Sequence, residues 1–282
     1  AVLDVQGEVA VERLQPPGAF LPGSGLPDVT RERLADPAPL HAVRVERWGV
    51  RHHDGLAALR ELLALLADRT GPWSADLGPW AWAWMRHVLP EARGLPSPVA
   101  PAPLNAEALQ DWLGDHDTLR LRGRGGEPDA TTYRALAKRS RGEAGVAAAV
   151  WRACLWDGAE RPPSDEADAV AEEDAEEGAD ESSEQGTVWV RHPSDLDLPG
   201  LATVTRYDLL LLHAVLLHGR PNVPTVARAL DRRIAETEVA VATLIGQRLL
   251  ARDDDGHVRP APLALPAIRA RLEAEAFVAV AS

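Results

Sequence analysis

His52, His53 and Asp54 set two imidazoles beside a carboxylate, the residue types that bind zinc or carry protons. Their spacing works against that chemistry. Neighbouring side chains diverge on a strand, and no second pair stands at metal-ligand spacing, so no metal site is expected. Asp115-His116-Asp117 shares the defect, and loop turn chemistry accounts for it. Gly123-x-Gly125-Gly126 lacks the strand–loop–helix context of a nucleotide cradle. The chain carries no phosphate-binding Gly-Lys-Ser/Thr loop, no Gly-x-Ser-x-Gly elbow and no Cys-His pairing. Cys154, the single cysteine, lies between Ala153 and Leu155 and reads as a small buried hydrophobe. No catalytic residue and no cofactor is expected, and the chain reads as non-enzymatic.

Charge is the more informative property. The formal net charge over 282 residues is −13, yet eleven carboxylates and no basic residue fall between Ser164 and Gly186. The remainder carries 32 acidic against 30 basic residues, which is close to neutral. Self-repulsion and the lack of apolar side chains predict that this stretch is a disordered linker. It serves as a spacer or as a polyanion competing for a basic surface. It divides the chain into an N-terminal domain (1–163), the acidic linker (164–186) and a C-terminal domain (187–282). A lone cysteine fits a reducing cytoplasm. No apolar run reaches membrane-span length, and no secretion leader is visible at the N-terminus. Lys138 is the only lysine, so codon bias discounts the arginines as phosphate binders.

The fold class expected is α+β and mainly helical. Strands are expected over Val5–Val11 and His41–Val50, with a Pro/Gly-rich loop between them. Asp54 caps a helix over Gly55–Asp68, whose Leu56, Leu59, Leu62, Leu63 and Leu66 form one stripe. A tryptophan-rich helix starts at Pro79 and ends before Pro90, with Trp80, Trp84, His87 and Val88 on one face. Core packing explains those tryptophans; Trp82, off that face, is a candidate docking residue. Asn105 caps a short helix to Leu113, Thr118–Arg122 reads as a strand, and Gly123–Gly126 as a turn. Helical segments follow over Thr131–Trp151, broken near Gly142 and Gly145.

From Thr205 the pattern sharpens. A helix capped by Thr205 turns Leu209, Leu212, Leu216 and Leu217 inward and stops at His218-Gly219. Helices follow over Thr225–Asp231 and Ala235–Arg248. A hairpin comes next, Leu249–Arg252 and His257–Arg259 about an Asp-Asp-Asp-Gly turn, and then a last helix over Pro266–Phe277. The run "TVARALDRRIAETEVAVATLIGQRLLARDDDGHVR" resembles the second helix, recognition helix and wing of winged helix-turn-helix regulators of the MarR and ArsR kind. The resemblance covers about a quarter of the chain.

In DNA-binding members of that superfamily the second helix of the pair enters the major groove. By position, the resemblance puts Arg233, Glu236, Glu238 and Val239 on the exposed face of that helix, with Arg252 and Arg259 in the wing. Glu236, Glu238 and the acidic turn Asp253–Asp255 depart from a DNA-reading surface, and ten basic against nine acidic residues follow Thr205. A second basic region lies upstream: Arg120, Arg122, Arg124, Arg134, Lys138, Arg139 and Arg141, the last four within "TYRALAKRSRGEAGVAAAVWRACLW", which also resembles a helix-turn-helix. Two functions therefore compete. One is DNA association, through those seven residues with or without Arg233, Arg252 and Arg259. The other is a protein-docking adaptor engaging a partner through Ile234, Glu236, Glu238, Val239 and Trp82. Superfamily precedent puts DNA slightly ahead.

Overall fold

The computed structural model describes residues 10–14, 25–35, 41–45, 53–69, 73–75, 77–114, 119–122, 127–156 and 186–278. It is mainly helical with a minority of short strands. The acidic stretch to Gln185, Arg124, Gly123–Gly126 and Asp115–Asp117 lie outside those residues.

The first elements are β1 (Ala10–Leu14), α1 (Asp28–Ala35), β2 (His41–Val45), α2 (His53–Asp68) and β3 (Trp73–Ala75). The three strands pair in parallel in the order β1-β2-β3, with Val11 opposite Ala42 and Val43 opposite Trp73. Parallel neighbours need a crossover, and α1 and α2 supply one each. Strand β1 overlaps the expected Val5–Val11 at Ala10 and Val11 and continues to Leu14, while residues 5–9 lie outside the described set. Helix α2 buries Leu59, Leu62, Leu63 and Leu66 as its periodicity predicts. Each such side chain contributes about 1.5–3 kcal/mol by leaving water. Glu61 on α2 accepts from the Leu26 amide (2.8 Å) and from Arg31 Nε (2.6 Å), tying α1 and the segment before it to α2. Both bonds hold the Glu61 carboxyl below its ordinary range, Arg31 contributing most.

Helices α3 (Pro79–Val88) and α4 (Pro90–Arg93) follow. The expected inward face of α3 needs correction. Trp80, Ala81 and Met85 are buried, whereas His87 and Val88 face solvent in the last turn. Pro90 holds Leu89 extended, so α3 ends before its last turn reaches the core. Trp82 and Trp84 are half-buried against the core cluster that includes the α2 leucines, Met85, Leu89 and Ala92.

Next come α5 (Ala106–Leu113), β4 (Leu119–Arg122), α6 (Ala130–Ser140), α7 (Ala144–Cys154), β5 (Leu155–Trp156) and β6 (Gly186–Val190). Asn105 caps α5 by accepting from the Ala108 amide at 2.8 Å. Asp129 caps α6 through the Thr131 and Thr132 amides; the Thr131 hydroxyl, which contributes most, and those amides lower its carboxyl to about 2. The break between α6 and α7 is at Arg141–Glu143, and Gly145 lies inside α7. Gly142 holds φ 71° and packs so closely that a Cβ would meet Leu104 backbone atoms at 2.8 Å. Leu109, Tyr133, Leu136, Val150, Trp151 and Val190 close one core, with Tyr133 stacked on Trp151 at 5.6 Å. The sheet order is β4-β6-β5, β4 parallel to β6 and β5 antiparallel to it. The strands on either side of residues 157–185 therefore pair with each other.

The C-terminal elements are α8 (Arg206–His218), α9 (Val223–Ala229), α10 (Ile234–Gly246), β7 (Leu250–Arg252), β8 (Val258–Pro260) and α11 (Leu265–Ala274). Thr205 and Asp208 form a reciprocal capping box at the start of α8. Helix α8 buries more than one stripe: Leu211, Ala214 and Val215 join the expected Leu209, Leu212 and Leu217, while the expected Leu216 is only half-buried. Neighbours on several sides explain this, since α3, α9 and β8 all pack on it. The antiparallel β7–β8 hairpin is extended by the Pro221 carbonyl, which accepts from the Val258 amide at 2.8 Å.

The chain resolves into two compact units. One comprises Ala1–Val99, Gly200–Ala261 and Ala267–Ser282; the other comprises Ala100–Pro199 and Pro262–Pro266. These groupings do not coincide with a division at residues 163 and 187.

Candidate interaction surfaces

Helix α10 is built with one buried side. Thr237, Val241 and Leu244 face the core, and Thr237 returns its hydroxyl to the Arg233 carbonyl at 3.1 Å. The opposite side is unusual for what it leaves in water. Ile234 is 56 % and Val239 69 % exposed, and Ala235, Ala242 and Gly246 lie exposed on the same side as Val239. Val239, Ala235, Ala242 and Gly246 share one helix face, whereas Ile234, about 140° around the helix from Val239, is exposed as the first residue of α10.

The charges flanking that face are locally matched. Arg252 Nη2 meets Glu238 Oε1 at 2.5 Å, and Arg233 Nε lies 3.7 Å from Glu236 Oε1. Arg259 is exposed and has no partner among the described residues. Asp253 accepts from Arg220 Nε at 3.0 Å and from the His257 amide at 2.9 Å. Arg220 is the main reason its carboxyl sits below the ordinary range. Asp253, Asp255 and His257 offer ligand atoms within 4.8 Å of one another, a grouping the sequence reading missed. The i, i+4 spacing of Asp253 and His257 across the turn was its only signal. Arg220 already supplies the positive charge there, through Asp253 and, at 3.7 Å, Asp255.

The upstream basic residues do not act as one group. Arg134 and Lys138, a helical turn apart on the outward side of α6, are exposed and bear no hydrogen bond or ion pair among the described residues. Arg139 turns the other way and donates to the Leu196 (3.2 Å) and Ser194 (2.8 Å) carbonyls, holding the short 3-10 turn at Pro193–Asp195. Arg141 occupies the left-handed position that ends α6, φ 52°, with its side chain exposed. Arg120 and Arg122 stand in β4 opposite Thr187 and Trp189 of β6, and Arg124 is outside the described residues. Trp82 is half-buried, with the Arg86 guanidinium 5.8 Å above its ring.

The remaining reactive types are buried or dispersed. Cys154 is enclosed, and burial pushes its thiol up to about 12, so it stays protonated and inert at neutral pH. His213 on α8 accepts at Nδ1 from the Trp80 indole N–H at 3.1 Å, which leaves the ring proton on Nε2. Its surroundings, Trp80 edge-on at 5.9 Å and Phe277 at 5.0 Å, lower it to about 4 by desolvation. This link went unforeseen, although one histidine inside a leucine run is a signal that could have flagged it. No helix among the described residues is long and apolar enough to cross a membrane.

No family model matches the chain, and no curated protein matches it.

Proposed function

We propose that this chain is a non-enzymatic adaptor whose segment from Thr205 to Val278 is a winged helix-turn-helix that docks onto another protein through α10. The order α8, α9, α10, β7–β8, α11 supports the module. One observation carries the function. The helix that would meet base edges in a DNA-reading relative presents Ile234 and Val239 to solvent instead. Its acids Glu236 and Glu238 already engage Arg233 and Arg252, the cations a phosphate backbone would need. An apolar ridge with a charge-matched rim suits burial against a protein. It is ill matched to a polyanion.

The test places a photo-crosslinking amino acid at Val239 in the full chain expressed in its native cell. The adaptor reading expects one discrete crosslinked protein, lost when Ile234→Glu is added and retained with Arg259→Gln. Crosslinks to DNA, or a partner indifferent to Ile234→Glu, would reject it.

A further inference from the structure

The unit holding α5–α7 and β4–β6 repeats the element order of the C-terminal segment. A first helix (α5 or α8) precedes a close helix pair (α6–α7 or α9–α10), and an antiparallel hairpin follows (β5–β6 or β7–β8). In both, the backbone just before the helix pair bonds to the last hairpin strand: β4 to β6, and Pro221 to Val258. The same frame is therefore built twice, and the outward residues of the two copies differ.

On the upstream copy the first helix of the pair turns Arg134 and Lys138 into water, unpaired among the described residues. Arg152, Arg248 and Arg259 are also exposed with no partner among the described residues, but none of them has a second such cation one turn away on its own helix or strand. Arg31, Arg60, Arg220, Arg252 and Arg271 each hold a carboxylate. On α7, Ala144, Gly145 and Ala153 are exposed and Ala148 and Ala149 half-exposed, so no hydrogen-bonding side chain precedes Arg152 on its outer side.

We infer that the α6–α7 pair is a sequence-independent contact surface for duplex DNA, with Arg134 and Lys138 on the phosphate backbone. In a helix-turn-helix the first helix crosses the backbone and the second lies in the major groove. Cations on α6 stand where phosphates pass. A small-residue face on α7 fits against the groove floor but carries nothing that distinguishes one base pair from another. A deep, narrow A-form major groove would not admit α7, which selects DNA over duplex RNA. The surface is separate from α10, so it goes beyond the adaptor reading and does not depend on it. The competing occupant is the chain's own acidic stretch, whose eleven carboxylates lie between β5 and β6 of the same unit.

The experiment is a fluorescence-anisotropy titration of the full chain with a labelled random-sequence DNA duplex at two ionic strengths. Binding is expected to weaken with salt and to be indifferent to duplex sequence. Arg134→Gln with Lys138→Gln should weaken it roughly tenfold and reduce the salt slope by about 2. Arg134→Lys with Lys138→Arg should restore it. An unchanged melting temperature of the double variant certifies that the fold persists, since both side chains are exposed. Equal affinity of wild type and double variant overturns the inference, as does equal affinity for an RNA duplex. A chain with residues 164–186 neutralised to Asn and Gln supplies the last arm. Binding seen only with that chain assigns the surface to the protein's own carboxylates and overturns the proposal.

Discussion

The helix pairs α6–α7 and α9–α10 share a frame and differ in what they leave in water. The first turns out Arg134 and Lys138 over a helix of alanines; the second turns out Ile234 and Val239 between matched charges. Element order is set by buried residues, here Leu136 and Val150 against Val226 and Leu244. Partner chemistry is set by exposed ones. The two sets vary independently, so a shared architecture does not transmit a shared ligand.

The comparison breaks most sharply at the two faces of α10. Leu244→Ala should cost about 2–5 kcal/mol in chemical denaturation, because it opens a cavity among fully buried neighbours. Val239→Ala should change stability by less than about 0.5 kcal/mol. Comparable losses at both positions would mean that the outward face is packed.

A second contrast lies in the glycines. Gly142 and Gly219 both adopt positive φ, 71° and 75°, but only Gly142 has neighbours where a Cβ would go. Gly142→Ala should cost more than Gly219→Ala, which meets a backbone penalty but no neighbouring atom. Thermal unfolding of the two variants measures the difference. Equal shifts would remove the case for close contact between the α6–α7 turn and Leu104.

The His213–Trp80 link gives the unit that holds α8 a pH dependence of its own. Burial lowers His213 from 6.5 to about 4, so between those values the unfolded chain binds a proton that the folded state refuses. Stability from this group is therefore full above pH 6.5 and falls as the pH drops toward 4. His213→Asn should flatten that window when denaturation midpoints are compared from pH 7 to pH 4.5. A slope unchanged by the substitution would locate the acid sensitivity elsewhere.

The smallest effect belongs to the rim. A double-mutant cycle on Glu238 and Arg252 should give a coupling of about 0.2–1 kcal/mol, shrinking with added salt, since both side chains are substantially exposed. A coupling of zero would leave Arg252 free for an anion and weaken the argument that α10 avoids one.

Much of the C-terminal segment was legible because its signals are local. Thr205 and Asn222 cap the helices they precede, and the Asp-Asp-Asp-Gly turn lies between the paired strands. Helix α2 followed from its leucine spacing for the same reason. The parallel β1-β2-β3 sheet was not legible, because pairing between strands separated by whole helices leaves no mark in either strand. The exposure of Val239 followed from the position the resemblance gave it, whereas the inward turn of Arg139 onto Leu196 and Ser194 depended on a distant backbone.

Composition and spacing alone determined most helical segments, the caps at Asn105 and Thr205, the concentration of acid between Ser164 and Gly186, and the lack of a recognised catalytic motif; the expected cap Asp54 instead lies inside α2. Those properties depend on residues within a few turns of one another. Only the tertiary structure decided which cations are used internally, that β5 and β6 pair across the acidic stretch, and that Trp80 meets His213 from 133 positions away. Such contacts are chosen by the shape and polarity of surfaces that exist only once the chain has folded.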